Sequence, residues 1–442
     1  MLKEKRTRVP AEAAERDYRR VVNAWAMYDW ANSAFAVIIL TAVFPVYYRS
    51  LATTAGYAAE DATAYWAYTT SLSLLVVALV GPVLGAIVDI LGGKKQFLGV
   101  ALALGALGSL SLAFLGNDTF LLGALVFAIA NLGFAGGNIF YEALLPDVAR
   151  VDDIDRVSAR GYALGYLGGG LLLIINIFWF LRPDWFWMPD REFALRASFA
   201  SVAAWWVGFA LPLFCSVPEP VSRRRTPVSL SVITKGLQQL HRTLSRIRHY
   251  KELALFLLAF WIYNDGIGTI IKIATAYGDE IGIDHNQMLI ALVLTQLIGF
   301  PCTLGFGLLA RLLSAKQAIL LGLAAYMMIS IAGFFMTNAW HFYALAVAVG
   351  IVQGGTQALS RSLFATMVPK TRTTEFFGFY STGEKVAGIV GPTIFGLVGQ
   401  LTGSSRWGIV SVIVLFIAGA ALLWRVNERE GRRVAEAVED AV

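Results

Sequence analysis

The sequence predicts an all-α polytopic membrane protein of twelve transmembrane helices, arranged as two pseudo-symmetric six-helix bundles. Three observations carry this expectation: apolar runs of membrane-spanning length, a one-sided distribution of basic residues, and echoes between the two halves. Hydrophobic residues make up 57% of the 442, charged residues 15%, and the mean hydropathy is +0.63. A hydrocarbon core about 30 Å thick takes about 20 helical residues at about 1.5 Å rise.

Runs of that length lie near 22–48, 65–90, 97–116, 120–145, 158–181 and 197–217. Six more lie near 252–277, 287–312, 317–337, 341–368, 376–402 and 405–425. The first follows a basic arm and is too long for the apolar region of a cleaved leader, so it is expected to remain as an anchor. Pro146 closes the fourth run much as Pro369 closes the tenth.

Alternate loops divide the charges between two sides. Of the 36 Lys and Arg residues, 28 fall on the side holding both termini. Only Arg49, Arg182, Arg191, Arg196 and Arg406 fall on the other, and Lys272, Arg361 and Lys385 lie within runs. This is the positive-inside pattern, so the expected location is the cell (inner) membrane with cytoplasmic N- and C-termini. The net charge of +6 then reports topology and contact with anionic lipid, not a nucleic-acid partner.

The chain divides into an N-terminal bundle (1–217) with a basic arm, a linker (218–251) and a C-terminal bundle (252–442) with a tail. The linker opens with Pro218-Glu219-Pro220 and Arg223-Arg224-Arg225. Leu230, Ile233, Leu237, Leu240, Leu244 and Ile247 then recur at helical spacing, with Arg242, Arg246 and Arg248 between them. Two readings of this amphipathic helix stand: it lies on the membrane face, or it packs on protein as a strap. The halves echo each other. Gly85-Ala-Ile-Val-Asp89-Ile-Leu-Gly92-Gly93-Lys94-Lys95-Gln96 is answered by the Gly305–Gln317 segment, and Tyr28-Asp29 by Tyr263-Asn264-Asp265. Such six-plus-six repeats place a solute site between the halves near the midplane.

Charges inside hydrocarbon are costly, which makes each one a functional candidate. The acids are Asp29, Glu142, Asp265 and Glu384; the bases are Lys272, Arg361 and Lys385. Helical spacing puts Asn32 and Ser33 on the face of Asp29, and Asn131 and Asn138 on that of Glu142. Gln353, Gln357 and Arg361 form a third stripe, and Asp265 and Lys272 stand two turns apart. These stripes are expected to face a water-filled cavity, with static ion pairs as the alternative. Asp29 and Arg361 are expected to engage a solute's ammonium and carboxylate, while Asp265 or Glu384 exchanges a proton.

Other chemistries lack their residues. The sequence holds no G-x-x-x-x-G-K-[ST] loop and no catalytic triad or zinc pattern within a run, so an enzyme is not expected. His241, His249, His285 and His341 lack ligand spacing, and Cys215 and Cys302 both fall in apolar runs. No cofactor or metal is expected. The expected partners are a small solute, the bilayer and protons, with the chain acting as a monomer.

The Gly85-x-x-x-Asp89-x-x-Gly92-Gly93-Lys94-Lys95 segment resembles the loop signature of the major facilitator superfamily. It has one extra residue before the basic pair, and its second copy carries Ala310 where the acid would stand. Gly85, Asp89, Lys94 and Lys95 are accordingly the expected gating latch. Tyr28-Asp29-Trp30-Ala31-Asn32-Ser33-Ala34-Phe35 resembles the opening signature of that superfamily's vacuole effluxer (autophagy-related permease) branch. So do Gly354–Ser362, Phe376–Tyr380 and Gly391-Pro392. The resemblance implies alternating access; fungal members are associated with amino-acid release from the vacuole. The short loops suit a bacterial-type member. The expected function is secondary transport of a small polar or zwitterionic solute, amino acids included. Translocation of an amphiphilic or lipid-linked solute, or a non-transporting sensor or assembly role, are the alternatives.

Overall fold

The computed structural model describes residues 11–116, 119–220, 230–245, 247–386 and 390–440. α1 (Ala11–Ala34) leads into a π-helical segment, Phe35–Ala42, and then into α2 (Phe44–Thr54). α3 (Ala59–Leu91), α4 (Lys94–Leu112), α5 (Phe120–Glu142) and the single-turn α6 (Leu145–Val148) follow. α7 (Ile154–Leu181) and α8 (Arg191–Ser216) complete the first bundle, and α9 (Leu230–Ser245) occupies the linker. The second bundle holds α10 (Lys251–Glu280), α11 (His285–Leu312), α12 (Ala315–Phe334) and α13 (Ala339–Met367). Its last two spans are described as α14 (Thr373–Val386) with α15 (Val390–Thr402), and α16 (Ser405–Ser411) with α17 (Ile413–Arg425), the latter two parted by a turn at Val412. α18 (Glu428–Asp440) ends the described chain. Eleven described helices are long and apolar enough to cross a membrane, or twelve with the bent first span. With twelve crossings the two ends of the described residues fall on one face, here called the terminal face.

The first span begins earlier than its apolar run and bends by 42° before α2. The cause is local. Pro45 has no N–H to donate and crowds the carbonyl one turn back. Val43 N–H bonds Ile38 O at 2.8 Å and Thr41 Oγ1 bonds Ala36 O at 2.9 Å, both five residues back, which is the wider π spacing.

Within the first bundle α1 packs on α7 and α8, and α5 on α3 and α4. Within the second, α10 packs on α17, and α13 on α11 and α12. The bundles meet along α3–α14 and where α7 runs against α11 and α13. Lipid is as apolar as leucine, so such contacts depend on close packing of small residues. A Cβ on Gly85 would stand 2.8 Å from Glu375 Cα, and one on Gly378 2.7 Å from Pro82 Cα. Both glycines are needed for α3 and α14 to touch backbone to backbone.

The two halves also repeat a capping interaction. Lys95 Nζ donates to the last carbonyls of the sixth span, Phe214 O at 2.9 Å and Val217 O at 2.5 Å. Lys316 Nζ does the same for the twelfth, to Trp424 O and Val426 O, both at 2.8 Å. A cation at a helix C-terminus satisfies orphan carbonyls and the negative end of the dipole.

α9 packs on protein. Gly236 lies against Ile87 of α3, Gln239 Nε2 donates to Glu375 Oε2 at 2.7 Å, and Arg372 Nη1 to Thr243 Oγ1 at 3.3 Å. Leu237 remains exposed. Arg223-Arg224-Arg225, Arg246 and the side chains of Leu230, Ile233, Leu244 and Ile247 lie outside the described residues. The sequence reading left the C-terminal segment as a tail, and α18 is a docked helix. Glu439 Oε1 accepts from Lys370 N at 2.7 Å, Asn427 N donates to Glu252 Oε2 at 2.7 Å, and Gly431 seats on Met367.

Lys316→Met keeps the aliphatic stem and removes the cap, so unfolding in detergent should be eased by about 1 kcal/mol. Thermal melts of purified protein measure this, and an unchanged melting point would remove the assigned role of the cap.

Candidate functional site

Three of the longest helices bring their polar residues to one place. Arg361 of α13 is 1% exposed, and its Nη2 lies 3.1 Å from Asp29 Oδ2 of α1 in the other bundle. Its Nε donates to Ser158 Oγ and its Nη2 to Ser158 O, each at 3.0 Å. Tyr141 of α5 donates to the same Asp29 oxygen at 2.8 Å. The guanidinium carbon stands 4.3 Å from the Tyr162 ring centre and 5.0 Å from that of Trp25, so its planar faces are covered by aromatic rings. Nothing larger than glycine fits beside the pair: a Cβ on Gly161 would meet Asp29 Oδ2 and stand 2.9 Å from Arg361 Nη2. One turn further toward the terminal face, Ser362 Oγ donates to Asp155 Oδ1 at 2.5 Å. Ser158 Oγ donates to Ala358 O at 2.7 Å. The bonds of Arg361 with Asp29 and Ser158, of Ser362 with Asp155 and of Ser158 with Ala358 all join the two bundles.

A second set of cross-bundle bonds lies at the terminal face. Asp89, at the end of α3, accepts from the N–H groups of Thr374 (3.1 Å) and Glu375 (2.8 Å) in the first turn of α14. A carboxylate there satisfies orphan donors and meets the positive end of the helix dipole. Gly85 lets α3 approach closely enough for this. Lys94 Nζ donates to Thr373 Oγ1 at 2.5 Å across the interface, and within its own bundle to Asp147 Oδ2 (2.8 Å) and Ala143 O (3.2 Å). Among the described residues Lys95 bonds only within its own side of the interface: it caps α8, and its N–H donates to Glu219.

The remaining candidates have other partners or none among the described residues. Asn32 Nδ2 donates to Asn138 Oδ1 at 2.7 Å, joining α1 to α5, and Ser33 faces Gly165 of α7. Asn131 Nδ2 donates to Ser73 Oγ at 2.7 Å. Glu142 is buried with Oε2 unpartnered, while Glu384 and Lys385 pair at 3.5 Å. Asp265 Oδ2 accepts from Gly391 N at 2.7 Å, its Oδ1 is buried and unpartnered, and Lys272 two turns away is exposed. Gln357 is half-buried beside the Arg361 stripe.

Beyond the seal, toward the face opposite the termini, lies a cavity of about 480 Å³. Its wall is apolar over most of its extent, with Ile270, Met288, Leu292, Phe342, Val349 and Phe395 prominent. Polar groups are neutral: Tyr166, Thr269, Tyr277, Thr295, Gln296, Ser330 and Gln353. The first bundle adds Ala36, Val37, Thr41 and Val46 from the π segment and the start of α2. Gln353 belongs to the stripe read from sequence; the other candidates, Asp29 and Arg361 included, lie outside the wall. The neutral residues escaped sequence reading because a lone Thr, Gln or Tyr in an apolar run gives no signal comparable to a charge.

Removing one partner of a buried ion pair strands the other. Arg361→Met should therefore cost about 3–5 kcal/mol of unfolding free energy. The double variant with Asp29→Asn should cost less than the sum of the two singles, by about 2–3 kcal/mol. A double-mutant cycle in denaturant measures the coupling, and additive losses would show that the pair is not energetically joined.

Residues 57–436 match the family model described as "Vacuole effluxer Atg22 like". The chain is 39% identical over 419 residues to the MFS-type transporter YxiO of Bacillus subtilis (strain 168), covering 95% of this chain and 97% of that one. It is 24% identical over 479 residues to Autophagy-related protein 22 of Eremothecium gossypii, covering 94% and 92% respectively. Among solved structures, the outward conformation of the major facilitator FucP superposes with a TM-score of 0.69 at 12% identity, over 93% of this chain and 98% of that one. The proton:xylose symporter XylE gives 0.68 at 14% identity, over 97% and 100%. The chain therefore belongs to the Atg22-like vacuole effluxer family of MFS-type transporters, with the major facilitator fold, and it is no enzyme.

Proposed function

We propose that the protein is a secondary transporter working by alternating access, with residues 1–217 and 252–442 rocking about the solute cavity and 218–251 as the joining strap. The observation that carries this reading is the pairing of a walled cavity with cross-bundle bonds that, among the described residues, lie on its terminal-face side. Breaking the bonds of Asp29, Asp89 and Lys94 opens the terminal face; reforming them closes it. With the termini cytoplasmic, as the basic loops indicate, the conformation described is closed to the cytoplasm.

The cavity bears on the solute. Its volume lies in the range of small-molecule sites, about 300–1,000 Å³. Among the described residues its wall presents amides and hydroxyls among apolar groups and no charged side chain. It therefore favours a small polar solute with an apolar portion, an amino acid among the candidates, held by Gln296 and Gln353. An ionised solute would need its counter-charges from Asp29 and Arg361, which in this conformation hold each other. The apolar wall also supports the second reading, an amphiphilic solute, and the same assay separates the two.

Thermal-shift screening against amino acids, peptides, sugars, nucleosides and short-chain amphiphiles, followed by counterflow in liposomes, tests the proposal. Gln353→Leu should raise KM about tenfold for the solute so found, the loss of one buried amide partner. Absence of both stabilisation and counterflow across these classes would overturn the transport reading in favour of a sensor role.

A further inference from the structure

Glu142 has no partner that explains it. It ends α5 near the terminal face, 6% exposed, with Oε2 buried and without a hydrogen-bond partner. Charged groups face it from several helices. Asp29 on α1, Arg361 on α13 and the Glu384–Lys385 pair on α14 all act on it electrostatically. Tyr162 of α7 and Tyr380 of α14 lie in the same cluster, and Tyr141 precedes Glu142 in the chain. On α4, Lys94 bonds the carbonyl of the next residue, Ala143, and is itself neutralised by Asp147.

The charges do not balance. Asp29, Glu142 and Glu384 carry three negative charges when ionised, against two positive charges on Arg361 and Lys385. Extending the cluster to Asp265 and Lys272, which acts on Lys385, adds one of each sign and leaves the surplus unchanged. An unpaired charge in a low-dielectric interior is costly, and one proton removes it. Asp29 is tied by Arg361 and Tyr141, and Glu384 by Lys385. Glu142, with an unpartnered oxygen, is the group left to hold that proton.

We propose that Glu142 is the proton-binding site of the transport cycle: it carries a proton while the seal is closed and releases it when the seal opens. The inference rests on the transport reading for its role in the cycle, but the closed-state proton itself does not depend on it. Asp29 and Glu142 belong to one bundle, and Arg361, Glu384 and Lys385 to the other. Opening the terminal face admits water and separates the two groups, so the Glu142 O–H bond breaks and the proton leaves to terminal-face water. Reclosing brings three carboxylates back beside two cations, and Glu142 must take up a proton first. Sealing and protonation are thereby obliged to occur together. The sequence reading favoured Asp265 or Glu384 for this task; Glu384 pairs with Lys385, and Asp265, whose Oδ1 is also unpartnered, has its Oδ2 held by the Gly391 N–H and its charge matched by Lys272.

Infrared spectroscopy of purified wild-type protein at neutral pH tests the closed-state proton without any solute. A carbonyl-stretch band of a buried protonated carboxyl is expected, lost in Glu142→Gln, shifted in Glu142→Asp and unchanged in Asp265→Asn. No such band in the wild type, or one that survives both Glu142 variants unshifted, overturns the proposal. In liposomes, Glu142→Gln should keep counterflow of the solute found by screening but lose at least tenfold of pH-gradient-driven uptake. Gradient-driven uptake at the wild-type rate overturns the coupling. Absence of counterflow in the wild type would instead count against transport itself, leaving the infrared result to decide the proton site.

Discussion

Arg361 is almost completely buried, and its carboxylate partner belongs to the other half of the molecule. A guanidinium cannot shed its proton to escape a low dielectric, so it must find a counter-ion wherever the helices place it. In this arrangement that counter-ion is Asp29, with Ser158 accepting from Nε and Nη2 and the rings of Trp25 and Tyr162 covering the faces. Such a pair adds little net stability over apolar packing but makes partial separation expensive. The bundles are either joined at this point or apart with water between them. Intermediate openings leave two bare charges.

The bonds at the terminal face follow the same logic with weaker elements. Asp89 accepts from two peptide N–H groups with the Lys94 ammonium acting on it electrostatically, and Lys94 reaches Thr373 while paired with Asp147. These bonds exchange for water at modest cost when the face opens. Lys95 and Lys316 hold their own bundles together at sites that a rocking motion leaves untouched. The repeat thus separates two jobs that adjacent lysines share in sequence: one closes the interface, the other closes a helix end. The second copy carries Ala310 where the acid would stand, and on that flank the bundles are joined by the Asp155–Ser362 and Ser158–Ala358 bonds.

Much of this was legible in the chain. Helix number, the six-plus-six division and the intramembrane charges follow from hydropathy and spacing, because a bilayer punishes every exception to apolarity. The pairing of Asp29 with Arg361 was not legible, since 332 residues separate them and periodicity within a helix does not say which helices face each other. Both were read as ligands for a solute, with static ion pairs as the alternative, and in this conformation they lie against each other. The cavity was hidden for a different reason. Gln296, Thr269 and Tyr277 are ordinary in apolar spans, and only the packing of four or more helices shows that they look into one space. α18 was hidden by its charge, which reads as a solvated tail until Gly431 and Glu439 are seen docked on the end of the tenth span and the turn after it.

The dependence of the closed face on the Asp29–Arg361 pair can be measured as a distance. Spin labels at exposed positions 152 and 370, on opposite bundles at the terminal face, would be placed in a background free of Cys215 and Cys302. Pulsed dipolar spectroscopy should give one short distance in the otherwise unaltered protein and a second, longer population once Asp29→Asn is introduced. A single distribution that Asp29→Asn leaves in place would contradict the assignment of this pair as the seal.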